Sequence, residues 1–482
     1  MKNILTYLLL VVTLAFVACA TDDTFSASTA NRLTFSTDTV KLDTVFSKVP
    51  SSTRTFWVFN NSSDGIRCSS IRLKDGNQTG FRVNVNGVYL GETQGYQLSN
   101  EEIRKGDSLR VFVEITAPYN NAATPQLVAD DLVFDLESGV SQKVRLQAYA
   151  WDAELLSNVV ISKDSTISST KPTVIYGKIV VNEGATLTIP AGKTVYFHDG
   201  AGIDVHGRLL CLGEAGNEVT LRGDRLDHMF DYLPYDGVSG QWDGIILRKD
   251  SYANKLTFTD IHSCCNAVLC DSSAIDNQKL MLSHSTIHNC KGAGVILNNN
   301  SAVIENCQIS NTLSTCMEVV SGDVEVNNTT LAQFYPYDAA RLPALFLEMD
   351  TLMSQAPLRF RMRNSIVTGY GDDQVYCAFS DTTKADYVFD HCLLRTPEVS
   401  DTIRCRNIIW ENVEDTIVGG TKNFKKVDSK LLQYDFRLAE GSLAIGAADK
   451  ATAMPDDRLA TKRDDAPDIG CYEYVDDTDK KE

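Results

Sequence analysis

Arg359, Arg361 and Arg363 alternate in LRFRMRN, residues 358 to 364, so a strand would turn all three to one face. Acidic residues gather elsewhere. Asp224, Asp227, Asp231, Asp236 and Asp243 lie in and beside HMFDYLPYDGVSGQWDG, residues 228 to 244, and Asp372 and Asp373 stand in GYGDDQ. These types suit acid–base chemistry on a polysaccharide. Carboxylates holding calcium against sugar carboxylates, with an arginine base, would give eliminative cleavage; two carboxyl groups facing each other across a groove would give hydrolysis. The candidates are Asp231, Asp236, Asp372 and Asp373, with Arg361 as base. A plainer reading competes with this one: alternation with Leu358, Phe360 and Met362 is what any half-exposed strand shows. There is no HExxH, no paired aspartate repeated at fixed spacing and no CxxC pair near another, so no zinc site is expected. His262, His284 and His288 are read as corner residues that could meet on one face. Binding is favoured over catalysis.

Aromatic residues are the second group with a chemical use. Phe230, Tyr232, Tyr235 and Trp242 crowd the first acidic stretch. FYPYDAARLPALFLEMD, residues 334 to 350, carries Tyr335 and Tyr337 and repeats Pro-Tyr-Asp of 234 to 236 at 336 to 338. Each stretch is followed by an apolar strand, GIIL or ALFL. Both read as excursions from one wall that stacking could bring together. Aromatic loops stiffened by proline suit protein docking or stacking on sugar rings. The alternative is that they fold back over the protein's own apolar wall.

The elements that must position these residues are strands. From about residue 172 short strands follow one another with glycine and polar corners. An apolar residue, then Ser, Thr or Cys three later, then an aliphatic two later recurs at Leu256/Thr259/Ile261, Leu282/Ser285/Ile287, Ile304/Cys307/Ile309, Val326/Thr329/Leu331, Met362/Ser365/Val367 and Phe389/Cys392/Leu394. Successive copies are 26, 22, 22, 36 and 27 residues apart. A period in the twenties made of strands and turns is the signature of a solenoid whose coils stack equivalent residues. Leucine-rich repeats would need a Leu-x-x-Leu-x-Leu grammar that is not found. A right-handed parallel β-helix is expected, its hand set by the crossover rule. The long intervals mark inserted loops, and corner residues such as Asn289, Asn298 and Asn306 can ladder their amides. Before it, residues 32 to 150 alternate in about seven short runs, as an antiparallel sandwich does, with Phe56, Trp57 and Phe59 in its core.

The net charge of −18 argues against nucleic acid, and against anionic polysaccharide unless calcium bridges the two. Calcium is therefore the one cofactor kept open. Twelve cysteines follow Cys19, several at periodic apolar positions, and read as buried free thiols. Ile4 to Val17 is an uncharged apolar run too short to span a bilayer, with the flanks of an export signal.

Phe16-Val17-Ala18-Cys19 resembles a bacterial lipobox, which implies lipidation of Cys19 and a membrane anchor without a spanning helix. Asp22-Asp23 resembles the surface-export signal of Bacteroidota lipoproteins. Tripeptides starting at Asp38, Asp43, Asp107, Asp164, Asp350, Asp381, Asp401 and Asp415 resemble the O-glycosylation motif of that phylum. YDFRLAEGSLAIGAAD and APDIGCYEY are similar to the closing segment of bacterial parallel β-helix proteins, and Gln241-Trp242-Asp243-Gly244-Ile245 resembles their W-G-G-I coil motif. Residues 32 to 150 look like an immunoglobulin-like domain. The resemblance is thus to right-handed β-helix lipoproteins of pectin-lyase-like fold. It implies an all-β chain: signal 1–19, linker 20–31, immunoglobulin-like sandwich 32–150, β-helix 151–435 and closing cap and tail 436–482. The expected function is a non-catalytic interaction protein at the outer membrane, facing out, an accessory subunit of a membrane-protein complex. A polysaccharide lyase or hydrolase, or a glycan-binding protein, is the alternative.

Overall fold

The computed structural model describes residues 24–476 except 77, 231, 350–357, 381–383 and 416. The export signal, Cys19 and Asp231 lie outside the described residues. The chain divides into two units, residues 1–152 and 153–482. The described residues hold strands and three short 3-10 turns, without an α-helix.

The first unit is a sandwich of two five-stranded sheets. One runs Thr34–Phe35, Arg54–Phe59, Ser108–Ile115, Phe81–Val85, Val88–Tyr89; the other runs Thr39–Phe46, Ser141–Trp151, Gln126–Leu136, Ile66–Leu73, Gln97–Ile103. Alternation decides the buried side: Leu109, Val111, Val113 and Ile115 all face inward from one strand. The same rule corrects two core expectations, since Trp57 and Phe59 share the outward face and Phe59 is only half-buried. Phe56 and Val58 are buried, so Trp57 between them points out, 41 % exposed with the Arg110 guanidinium over its ring.

The second unit is a right-handed parallel β-helix. Each coil passes through three walls, and in Val295–Glu305 and Met317–Asn327 a single long strand runs through the first and second. The repeat read from the sequence is the corner between the second and third walls. Leu256, Leu282, Ile304, Val326, Met362 and Phe389 stand in register down the second wall. Ile261, Ile287, Ile309, Leu331, Val367 and Leu394 do so down the third. All twelve are buried in one continuous core. Between them Phe258, His284, Asn306, Asn328, Asn364 and His391 take positive φ to turn the corner. The Ser/Thr position follows from hydrogen bonding: Ser285 Oγ accepts the N–H of Thr259 one coil below and donates to the Ser283 carbonyl, and Ser365 repeats the pattern with Thr329 and Arg363. Cysteine fits the same space at 307 and 392, where burial pushes each thiol up to about 12.

The closing segment lies along a side of the solenoid. Ala332, Phe334, Ile366 and Leu393 face out from the third wall and are covered by Phe424, Phe436, Leu438, Ala444, Ile469, Cys471 and Tyr472. Gly470 must be glycine here: its φ is +98°, and a Cβ would stand 2.8 Å from Ile366 and Thr330 side chains. At the corner between the second and third walls Asn306, Asn328 and Asn364 serve this segment, and of the asparagines expected to ladder only Asn306 is among them. Asn306 donates to the Asp456 carbonyl, and Asn328 accepts from the N–H of Met454.

Candidate functional site

The two aromatic loops meet. The first leaves the third wall after Gly223 and returns as the first-wall strand Trp242–Leu247; the second leaves after Gln333 and returns as Leu345–Met349. Tyr337 Oη donates to the Gly237 carbonyl (2.9 Å), and Ser239 Oγ and Tyr335 Oη are 2.7 Å apart. Arg341 ties down the second loop by donating to the Tyr335 and Asp338 carbonyls. Between the loops is a groove of about 510 Å³, walled by Met229, Leu233, Val238, Tyr335, Pro336 and Leu432; among the described residues its polar lining is Ser239, Ser429, Lys430 and the tyrosine hydroxyls. At its rim Tyr232 is 64 %, Phe230 53 % and Tyr337 41 % exposed. The Phe230 and Tyr232 rings are nearly parallel with centroids 5.7 Å apart.

The root of the first loop is held by charge. Asp236, in the turn Tyr235–Gly237, accepts from Arg222 Nη1 (2.8 Å) and bonds His262 Nε2 (2.8 Å). His262 Nδ1 lies 2.7 Å from Asp260, and His288 Nε2 is 3.3 Å from the same carboxylate oxygen. The two imidazoles stack at 4.7 Å because their strands pair His262 with His288. Burial opposes the charge on His262, but Asp260 and Asp236 outweigh it and lift the imidazole to about 9. Burial would raise both carboxyls; the histidines hold Asp260 well below the usual carboxylate range, and His262 with Arg222 lowers Asp236. Arg225 forms a two-armed ion pair with Asp227 (2.8 Å each) and lies 3.7 Å over the Tyr235 ring.

The expected residues separate into several places. Phe230, Tyr232, Tyr335 and Tyr337 do line one groove. Tyr335 is buried as its wall, and Tyr235 is half-buried beneath Arg225. Trp242 is a correction: it is 1 % exposed inside the coil, stacked on Phe197 at 4.2 Å, its indole N–H donated to the His262 carbonyl. It opens a first-wall strand, so alternation turns it into the core. The catalytic candidates do not form one site. Asp372 faces Arg395 (3.6 Å), Asp373 accepts from Thr396 (2.6 Å), Asp243 pairs with Lys178, and Arg361 on the second wall pairs with Asp386. Among the described residues each of these carboxylates answers to a different partner. Arg359, Arg361 and Arg363 do point outward while Leu358, Phe360 and Met362 are buried. Asp260 and Arg222 join the cluster with no motif to announce them, and of the three histidines expected at corners only His284 turns one; His262 and His288 stand within third-wall strands. His262 and His288 are 26 positions apart, the coil interval at that point, which was the available signal.

No family model matches the chain, and no curated protein matches it. Among solved structures it is similar to pectate lyase Pel9A, 13 % identical over 67 % of this chain and 97 % of that one, with a TM-score of 0.28. It is similar to Dex49A from Penicillium minioluteum, 7 % identical over 77 % and 74 %, TM-score 0.21. It is also similar to the catalytic domain of a GH87 alpha-1,3-glucanase, 10 % identical over 74 % and 90 %, TM-score 0.20. At these values nothing about substrate or activity passes from those proteins to this chain.

Proposed function

We propose that the protein is a non-catalytic docking subunit, lipid-anchored through Cys19 at the outer membrane, which holds a protein partner in the groove between its two aromatic loops. The observation that carries this reading is the groove itself: a preformed concavity with exposed Phe230, Tyr232 and Tyr337 at its rim and an apolar floor. Rigid aromatic anchors around a desolvated centre are what protein interfaces use. A sugar would lose water from each hydroxyl on entering and would need polar side chains in return. Among the described residues this lining has few, which favours apolar side chains of a protein segment. Polysaccharide cleavage fits the charged residues less well. Hydrolysis needs two carboxyl groups facing each other across a groove and elimination needs carboxylates beside an arginine base, whereas Asp236, Asp372, Asp373 and Arg361 each answer to a different partner.

The test is purification of the full-length protein from membranes in mild detergent beside a Tyr232→Ala/Tyr337→Ala variant. A stoichiometric membrane protein is expected with the wild type and at least about tenfold less of it with the variant, as loss of central aromatic anchors implies. A wild type that always purifies alone, but binds oligosaccharides through the same residues, would replace docking with glycan binding.

A further inference from the structure

Asp260, His262 and His288 bring three donor atoms, one from each, within 4.8 Å of one another on the third wall. We infer that these residues form a binding site for a single divalent transition ion, with Zn²⁺ the best match, and that Asp236 and Arg222 are its outer shell.

Two imidazole nitrogens and one carboxylate oxygen suit Zn²⁺, whereas calcium and magnesium prefer oxygen throughout. Tetrahedral zinc with bonds of about 2.0–2.1 Å sets ligand atoms roughly 3.3 Å apart. His288 Nε2 and Asp260 Oδ1 already stand at 3.3 Å. His262 Nδ1 and Asp260 stand at 2.7 Å and have to open by roughly half an ångström, within side-chain reach. Metal-binding histidines characteristically give their second ring N–H to a carboxylate, which fixes the tautomer. That partner is in place: His262 Nε2 is 2.8 Å from Asp236, itself held by Arg222. With Nε2–H so donated, His262 offers Nδ1 to the ion once that nitrogen's proton has left to solvent. The ligands are stiffly set, since Asp260 pairs with Thr286 and His262 with His288 in the coil register. The His288 and Asp260 side chains keep 26 % and 25 % of their exposure, so an ion can reach them from solvent. Two cations stand near: Arg222 on Asp236, and Arg458, which pairs with Glu218 (2.9 Å), donates to the Thr286 hydroxyl and also attracts Asp260, so the ion competes with it for that carboxylate. The i, i+4 pair His284 and His288 does not chelate, because His284 turns the corner toward Asp456 (3.2 Å).

The experiment is calorimetric titration of chelator-stripped, tag-free full-length protein with Zn²⁺, alongside the Co²⁺ absorption spectrum as a report on coordination. One Zn²⁺ per chain and a tetrahedral Co²⁺ band are expected. His288→Ala should abolish both, Asp236→Asn should weaken binding about 10–100-fold, and His284→Ala should leave it unchanged. Far-UV circular dichroism of each metal-free variant checks the fold, with His288→Gln replacing any that misfolds. Absence of saturable binding, or equal binding by wild type and a folded His288 variant, would overturn the site.

Discussion

Trp242 shows how little a residue's type says about its use. An aromatic flanked by aspartate and glycine reads as a loop residue, yet one position of strand phase puts the indole against Phe197 in the solenoid core. Trp242→Ala should therefore cost about 3–5 kcal/mol, the usual price of emptying so large a buried site, and leave the His262 carbonyl without its donor. A fall in urea midpoint of the second unit checks this. Asp468 gives a prediction in pH. Burial pushes its carboxyl up to about 6, against the N–H groups of Gly446 and Tyr474 that it accepts. The folded state then holds that proton more tightly than the unfolded one. The contribution to stability is greatest below the ordinary carboxylate range and is lost as pH rises through about 6, by about 3 kcal/mol. Urea midpoints from pH 4 to 7 should show that decline in the wild type and a flatter profile in Asp468→Asn.

At the scale of elements, the coil corner was legible because stacking repeats the same demand. Each coil needs an apolar residue, a positive-φ turn, a small hydroxyl or thiol and an aliphatic, so Leu256-to-Ile261 and its copies announce the register before any coordinates. The closing segment was legible by resemblance, but its place along the third wall was not, because nothing in residues 424 to 474 repeats. Its signal lay on the wall it covers, where Ala332, Phe334, Ile366 and Leu393 are apolar on the outward side. The charged cluster was hidden for a related reason: Arg222, Asp236, Asp260, His262 and His288 come from four segments joined only by stacking. The cover is pinned by a buried ion pair, Arg463 with Glu473 at 2.9 Å. Glu473→Ala leaves that guanidinium buried and unpaired, a loss of about 3–5 kcal/mol. Hydrogen exchange should then rise in the third-wall strands Thr330–Gln333 and Ile366–Gly369 while the first-wall strand Trp242–Leu247 keeps its protection.

At the scale of the molecule, each unit carries its own core, one centred on residues such as Val83, Val111 and Phe134 and the other running the length of the solenoid. Residues 24 to 152 should accordingly fold alone, with a cooperative melt and a strand-type circular dichroism spectrum; a fragment without a cooperative transition would contradict this. The alternation of short runs made the sandwich readable. The strand pairing, including the parallel match of Ser141–Trp151 with Thr39–Phe46, had no local mark in the chain. The docking role belongs to this scale too, since a rigid solenoid presents loops 100 residues apart in sequence as one surface. Its most direct test is a photo-crosslinking residue placed at Tyr232 in living cells, compared with one at Tyr376, an exposed aromatic on another part of the first wall. A single discrete protein adduct from position 232, absent from position 376, is the expected result. The same adducts from both positions, or none from position 232, would contradict docking through the groove.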